Sequence, residues 1–244
     1  MAKLRLDRML CELGIGTRSQ LRDVVKKGRV SVDGLAVKDP GLNVDPERQE
    51  IRLDGALLQW QAVHTVMLNK PCGVLTAARD PKQKTVMDLL PPLYASSGCM
   101  PAGRLDKDTS GMLILTNDGQ LAHRLITPGK EVGKQYEAEL DGPLGDDDIA
   151  AFAAGLPIHD ADGAFTAKPA KLTILMSAPD KSVARVLVTE GKYHQVRRMF
   201  AARGRTVVKL RRVAIGALPM DECLAPGAWR ELTQEEIRLL ETAP

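Results

Sequence analysis

The segment 101–111, PAGRLDKDTSG, constrains this chain more than any other stretch. It is too polar and too rich in glycine for a core strand, and an apolar run, 112–116, follows at once. The pattern predicts a loop feeding a strand. Gly103 and Gly111 bracket Asp106, which suits backbone that comes close to a ligand while presenting one acid. An ordinary solvated turn fits the same residues, because charged turns are common.

The surroundings of this loop predict an α+β body. Residues 65–68, 133–140, 170–176, 183–190 and 206–210 read as strands. Residues 120–126, 146–154 and a stretch from about Tyr193 through 196–203 read as helices, and Thr233 with Glu236 forms a capping box for a last helix over 233–240. Thr85 is placed to cap a short helix that Pro91-Pro92 stops near Leu90. Connections are short, and neither a βαβ rhythm nor a glycine-rich nucleotide loop occurs, so the sheet is expected to be largely antiparallel.

The first 60 residues read as a separate small module. Leu4, Leu6, Met9, Leu10 and Leu13 recur at helical spacing and end at Gly14. Thr17 or Ser19 caps a second helix to about Lys27, with Leu21, Val24 and Val25 inward. Residues 29–32 alternate as a strand into the Asp33-Gly34 hairpin turn. Residues 55–63 read as a linker, giving domains at 1–60 and 64–244.

Charge is unevenly distributed. The net charge is only +3, yet 3–34 holds eight cations against four acids, and 185–212 holds nine against Glu190 alone. Two basic blocks predict a polyanionic partner, and solvated faces balanced by nearby acids are the plainer alternative. No apolar run is long enough to cross a membrane, and the first residues lack a secretory pattern. Cys11, Cys72, Cys99 and Cys223 are scattered, as expected of idle thiols in a reducing cytosol, and no metal-ligand spacing is seen.

GRLDKDTSG at 103–111 closely resembles the catalytic motif of the pseudouridine synthases, in the branch named for RsuA. Leu68-Asn69-Lys70-Pro71, Lys134-Gln135-Tyr136 and EGKYHQVRRM at 190–199 resemble further motifs of that family in the same order. The resemblance runs from about Leu4 to Leu240. The N-terminal module resembles the RNA-binding domain named after ribosomal protein S4. The implied architecture is an S4-like RNA-binding domain plus a larger catalytic domain with a mixed, largely antiparallel central sheet.

The resemblance also implies roles. Asp106 becomes the catalytic aspartate, Arg197 its basic partner, and Tyr136 the active-site tyrosine that stacks on the target base. Arg104 fills the gap left by a flipped base and Val188 is the apolar floor. Lys70 supports the aspartate loop and is carried with Lys192 as a candidate substrate contact. Arg5, Arg18, Ser19, Arg22 and Lys26 are candidates for phosphate contacts. Asp108 is the rival carboxylate, expected as a solvated turn residue, and His194 is expected to pack or hydrogen-bond. The chemistry implied is isomerisation of uridine to pseudouridine without cofactor or metal.

The S4-like module and the ending LAPGAWRELTQEEIRLL are most similar to members acting on 16S rRNA, with uridine 516 as the expected target. The implied enzyme is cytoplasmic and monomeric, with an assembling small subunit as its partner. A 23S rRNA synthase of the same family, an idle rRNA-binding assembly factor and a two-carboxylate hydrolase are the alternatives.

Overall fold

The computed structural model describes residues 3–160 and 163–242. It divides into two compact units, Met1–His64 with Leu90–Met100, and Thr65–Leu89 with Pro101–Pro244.

The first unit comprises β1 (Leu4–Arg5), α1 (Leu6–Glu12), α2 (Arg18–Lys26), β2 (Val30–Val32), β3 (Leu35–Val37), β4 (Asn43–Val44), β5 (Ile51–Leu53), β6 (Ala56–Leu57) and α3 (Pro92–Ser96). Leu6, Met9, Leu10, Leu21, Val25 and Val30 are buried in one core, as the helical spacing predicts. Thr17 caps α2 in a reciprocal box with Gln20, satisfying two N–H groups that the helix start leaves open. Asp33 and Gly34 have φ of 51° and 81°, the pair of left-handed residues that joins β2 to β3 with matching twist.

Two expectations are corrected here. The supposed linker supplies β6, which pairs with β5, and Leu58 N donates to Ile51 O at 2.8 Å. Leu58 and Trp60 pack against the core. The short helix expected after Thr85 is present as one 3-10 turn, Val86–Leu89, that ends before Pro91, and Pro92 then starts α3, because the first helical position has no N–H to lose. Leu4 and Arg5 pair with Val44 and Asn43 instead of beginning α1.

The second unit is built on a long mixed sheet. Its elements are β7 (Thr65–Lys70), the two-residue β8 (Met100–Pro101) at its margin, β9 (Thr109–Thr116), α4 (Gly119–Ile126), β10 (Lys134–Leu140), α5 (Asp146–Ala154), β11 (Pro157–Asp160), β12 (Gly163–Thr166), β13 (Lys171–Ser177), β14 (Ser182–Val188), α6 (Gln195–Ala201), β15 (Val207–Ile215), β16 (Leu218–Pro219), β17 (Trp229–Glu231) and α7 (Gln234–Glu241). The order is β13-β14-β10-β15-β9-β7-β17. Along that path only β15 and β9 run parallel, pairing Leu210 with Thr109 and Arg212 with Gly111. Phe152 of α5 and Met199 and Phe200 of α6 fill the core over β10, β13 and β14. Leu121 and Leu125 of α4 and Leu240 of α7 fill another over β7 and β9.

The strand after the loop starts earlier than the polarity of Thr109-Ser110-Gly111 predicts. Gly111 explains how: it pairs with Lys70 on one side and Arg212 on the other at φ 100°. A Cβ there would overlap the Arg212 carbonyl oxygen, so only glycine lets the two strands close. The β15 strand also runs five residues beyond the expected end at Leu210. Arg211 and Arg212, at the end of the basic block 185–212, therefore lie within a central strand. No helix among the described residues is long and apolar enough to cross a membrane.

Candidate active site

Asp106 sits on the loop between β8 and β9, and that loop is held from beneath. Lys70, at the end of β7, is 0% exposed. Its ammonium donates to Asp106 O at 3.0 Å, Thr109 O at 2.9 Å and Pro71 O at 3.1 Å. Thr76 Oγ1 donates to Leu105 O at 2.7 Å and accepts from Leu105 N at 3.2 Å. Gly73 N donates to Lys107 O at 2.8 Å. Backbone on both sides of Asp106 is thus tied down, which fixes where its carboxylate points. Burial pushes the Lys70 amine below its usual range, with Cys72, Asp106 and Asp108 acting the other way.

This geometry bears out Lys70 as support for the aspartate loop and leaves its ammonium facing the loop instead of a substrate. Its ammonium hydrogen bonds go to the carbonyls of Pro71, Asp106, Lys107 and Thr109, so it is a support post. The expected pairing of Arg197 with Asp106 is replaced. Arg197, on α6, pairs with Asp108 at 2.9 Å and donates to Val207 O at 3.0 Å. Asp108 is therefore not merely a solvated turn residue, since its carboxylate joins the loop to α6. The group beside Asp106 is His194, whose Nε2 lies 3.5 Å from Oδ1.

A cavity of about 1150 Å³ opens over Asp106. Arg104, Asp106, Tyr136, Val188, Lys192 and His194 all line it, bringing together most of the catalytic-domain residues named from sequence. Arg104 is exposed at its rim. Val188 is buried and pairs with Lys134, and Tyr136 pairs with Val186 on one side and Arg212 on the other. Lys192 is partly engaged: its ammonium lies 4.1 Å from the Phe165 ring centre and 4.0 Å from Glu190.

Sequence reasoning missed Arg212. It is 2% exposed, lines the cavity, donates to Met112 O at 2.7 Å and reaches the Tyr136 hydroxyl at 3.4 Å. A buried guanidinium with no carboxylate partner among the described residues raises the potential of the cavity wall. Lys134 lies nearby, and burial, then Arg212, lower its amine to about 8. The basic content of 185–212 was the only signal for Arg212. Glu190 and Gln195 are structural: Gln195 Nε2 donates to Glu190 Oε1 at 2.7 Å, and Lys192 N donates to Gln195 Oε1 at 3.0 Å.

The phosphate-contact candidates divide in the same way. Arg5 forms two bonds to the buried Asp7 at 3.0 and 2.9 Å, and Arg18 lies 3.8 Å from the same carboxylate. Those bonds, opposed by burial, hold the Asp7 carboxyl below its usual range. Ser19 Oγ lies 3.3 Å from Thr17 Oγ1. Arg22 and Lys26 are exposed on α2. Among the described residues no group of three His, Cys, Asp or Glu side chains is arranged to hold a metal ion.

A pinned aspartate loop, a cavity tyrosine and a basic wall on a mixed sheet make up a site suited to carboxylate-dependent chemistry on an anionic substrate. Residues 64–202 match the RNA pseudouridylate synthase family and residues 4–49 match the S4 domain. This chain belongs to the pseudouridine synthase family and is an RNA pseudouridine synthase, an isomerase. An uncharacterized RNA pseudouridine synthase of Bacillus subtilis, YtzG, is 45% identical over 97% of this chain and 98% of its own length. The ribosomal small subunit pseudouridine synthase A of Escherichia coli K12 is 38% identical over 96% and 98%. A crystal structure of a pseudouridylate synthase superposes with a TM-score of 0.66 at 37% identity, over 97% of this chain and 99% of that one.

Proposed function

We propose that this enzyme converts one uridine of 16S rRNA, uridine 516, to pseudouridine, and that it acts in the cytoplasm as a monomer on an assembling small subunit. Residues 1–60 serve as the RNA grip and 64–244 as the catalytic body. The observation that carries the mechanism is Asp106, aimed into the cavity from a loop fixed by Lys70 and Thr76.

The target base leaves its stack, at a cost of a few kcal/mol that protein contacts offset. Arg104 fills the space it vacates, Tyr136 stacks on it and Val188 lies beneath it. Asp106 acts as nucleophile or base toward the nucleotide. The C1′–N1 bond breaks, the uracil turns, and a C1′–C5 bond forms. C5 then loses its proton and N1 gains one, so product and substrate are isomers. Arg197 serves through Asp108, holding the far end of the loop. The small-subunit assignment draws support from the likeness to the E. coli enzyme over nearly the whole chain.

The test is a map of pseudouridine in 16S and 23S rRNA from cells with and without the gene, complemented by wild type or by Asp106→Asn. Loss of one 16S site that only wild type restores is expected. Loss of a 23S site instead would move the substrate, and restoration by Asp106→Asn would remove Asp106 from the chemistry.

A further inference from the structure

The cavity rim carries an aromatic pair that the reaction at Asp106 does not use. Tyr193 is 62% exposed, in a chain where aromatic residues make up only 3%. Its ring stacks on His194 with centres 3.8 Å apart and planes 18° apart. The imidazole covers one face of the tyrosine, and the exposed area is left for another flat group.

The stack is built rather than incidental. His194 has φ 49° and ψ 27°, a left-handed conformation that residues with side chains rarely adopt and that persists only where surroundings impose it. The turn that imposes it is closed by the Gln195 bonds to Lys192 N and to the buried Glu190. The inner end of the stack is at the reacting carboxylate, with His194 Nε2 3.5 Å from Asp106 Oδ1. Its outer end is the open tyrosine face. The cavity, at about 1150 Å³, exceeds the range of about 300–1,000 Å³ usual for single small ligands.

We propose that Tyr193 is a stacking platform for the unpaired base next to the target uridine, so that the site grips two consecutive nucleotides rather than one flipped base. The inference rests on the reading of this cavity as a uridine-isomerising site. Every base has a π-face, so the platform adds affinity without choosing sequence. His194 passes the grip inward, because a base seated on Tyr193 holds the imidazole against Asp106.

The test uses the Asp106→Asn chain, expected to bind RNA without turnover, and 16S and 23S rRNA transcripts in a filter-binding assay. On the RNA that carries product, adding Tyr193→Ala is expected to weaken binding about tenfold. Tyr193→Phe restores it and Tyr193→Leu does not, while the melting temperature stays put in all three. Combined with Tyr136→Leu, the losses multiply, because two rings hold two bases. Affinity within twofold for Tyr193→Ala, full rescue by leucine, or losses that fail to multiply would each overturn the platform. Wild-type turnover, measured in parallel, separates the two ideas. Product formation together with an indifferent Tyr193 sinks the platform alone, whereas no product on either RNA sinks the isomerase assignment.

Discussion

At the scale of single residues, the aspartate loop depends on Lys70, a buried cation with no carboxylate partner among the described residues. Lys70 places its ammonium among loop carbonyls, where each bond is charge-assisted and each acceptor is costly to strand. Lys70→Met keeps the bulk and removes the donors, and is expected to lower unfolding free energy by about 2–4 kcal/mol in urea melts. It should also depress kcat more than it raises KM, because the loop that aims Asp106 is freed. Lys134 gives the cavity a pH response. With its amine lowered to about 8, it is charged below that pH and neutral above. RNA affinity of Asp106→Asn should therefore fall as pH rises through 8, and titrations of Lys134→Met should lack that step.

At the scale of elements, the ends of helices are where the sequence acts most directly. The α7 box is closed by Thr233 accepting from Glu236 N at 3.2 Å and Glu236 accepting from Thr233 N at 2.9 Å. Glu236 also takes both forks of Arg230, at 2.9 and 2.7 Å. Arg230 foremost, against burial, lowers the Glu236 carboxyl from 4.5 to about 2. A folded pKa below the unfolded one means stability that is present above about pH 4.5 and lost as pH falls toward 2. Glu236→Gln should be less stable than wild type at pH 7, with the gap closing between pH 4.5 and 2. Urea unfolding at pH 7 and pH 3 measures it. Such boxes are legible because they are local. The α6 start was not, since His194 enters it in a left-handed conformation within a turn closed by the Gln195 bonds to Lys192 N and Glu190.

At the scale of the whole molecule, RNA binding should be strongly salt-dependent, since each neutralised phosphate releases counterions. Arg22 and Lys26, both exposed on α2, are the proposed phosphate contacts. Replacing both with alanine should weaken binding to every RNA alike and flatten the plot of log Kd against log salt by about 1–2. Arg5→Ala should act differently. It strips the buried Asp7 of its closest partner, so its main effect is about 1–3 kcal/mol of stability, read by denaturant melts.

The sequence by itself determined the S4-like unit's helices and hairpin, the α+β body and the residues that meet in the cavity. Helical spacing, caps and the Asp33-Gly34 turn act within a few residues, so a linear pattern carries them. The motif residues Asp106, Tyr136, Arg104 and Val188 were legible through likeness to a family rather than through periodicity. Only the tertiary structure decided who partners whom. Asp106 faces His194, while Arg197 pairs with Asp108. Lys70 props the loop, and Arg212 reaches Tyr136 from a strand more than seventy residues away. These pairings arise from strand register and from the close approach that Gly111 permits. Contacts between segments far apart in the chain leave no mark on either segment's own pattern, so a linear reading cannot assign them.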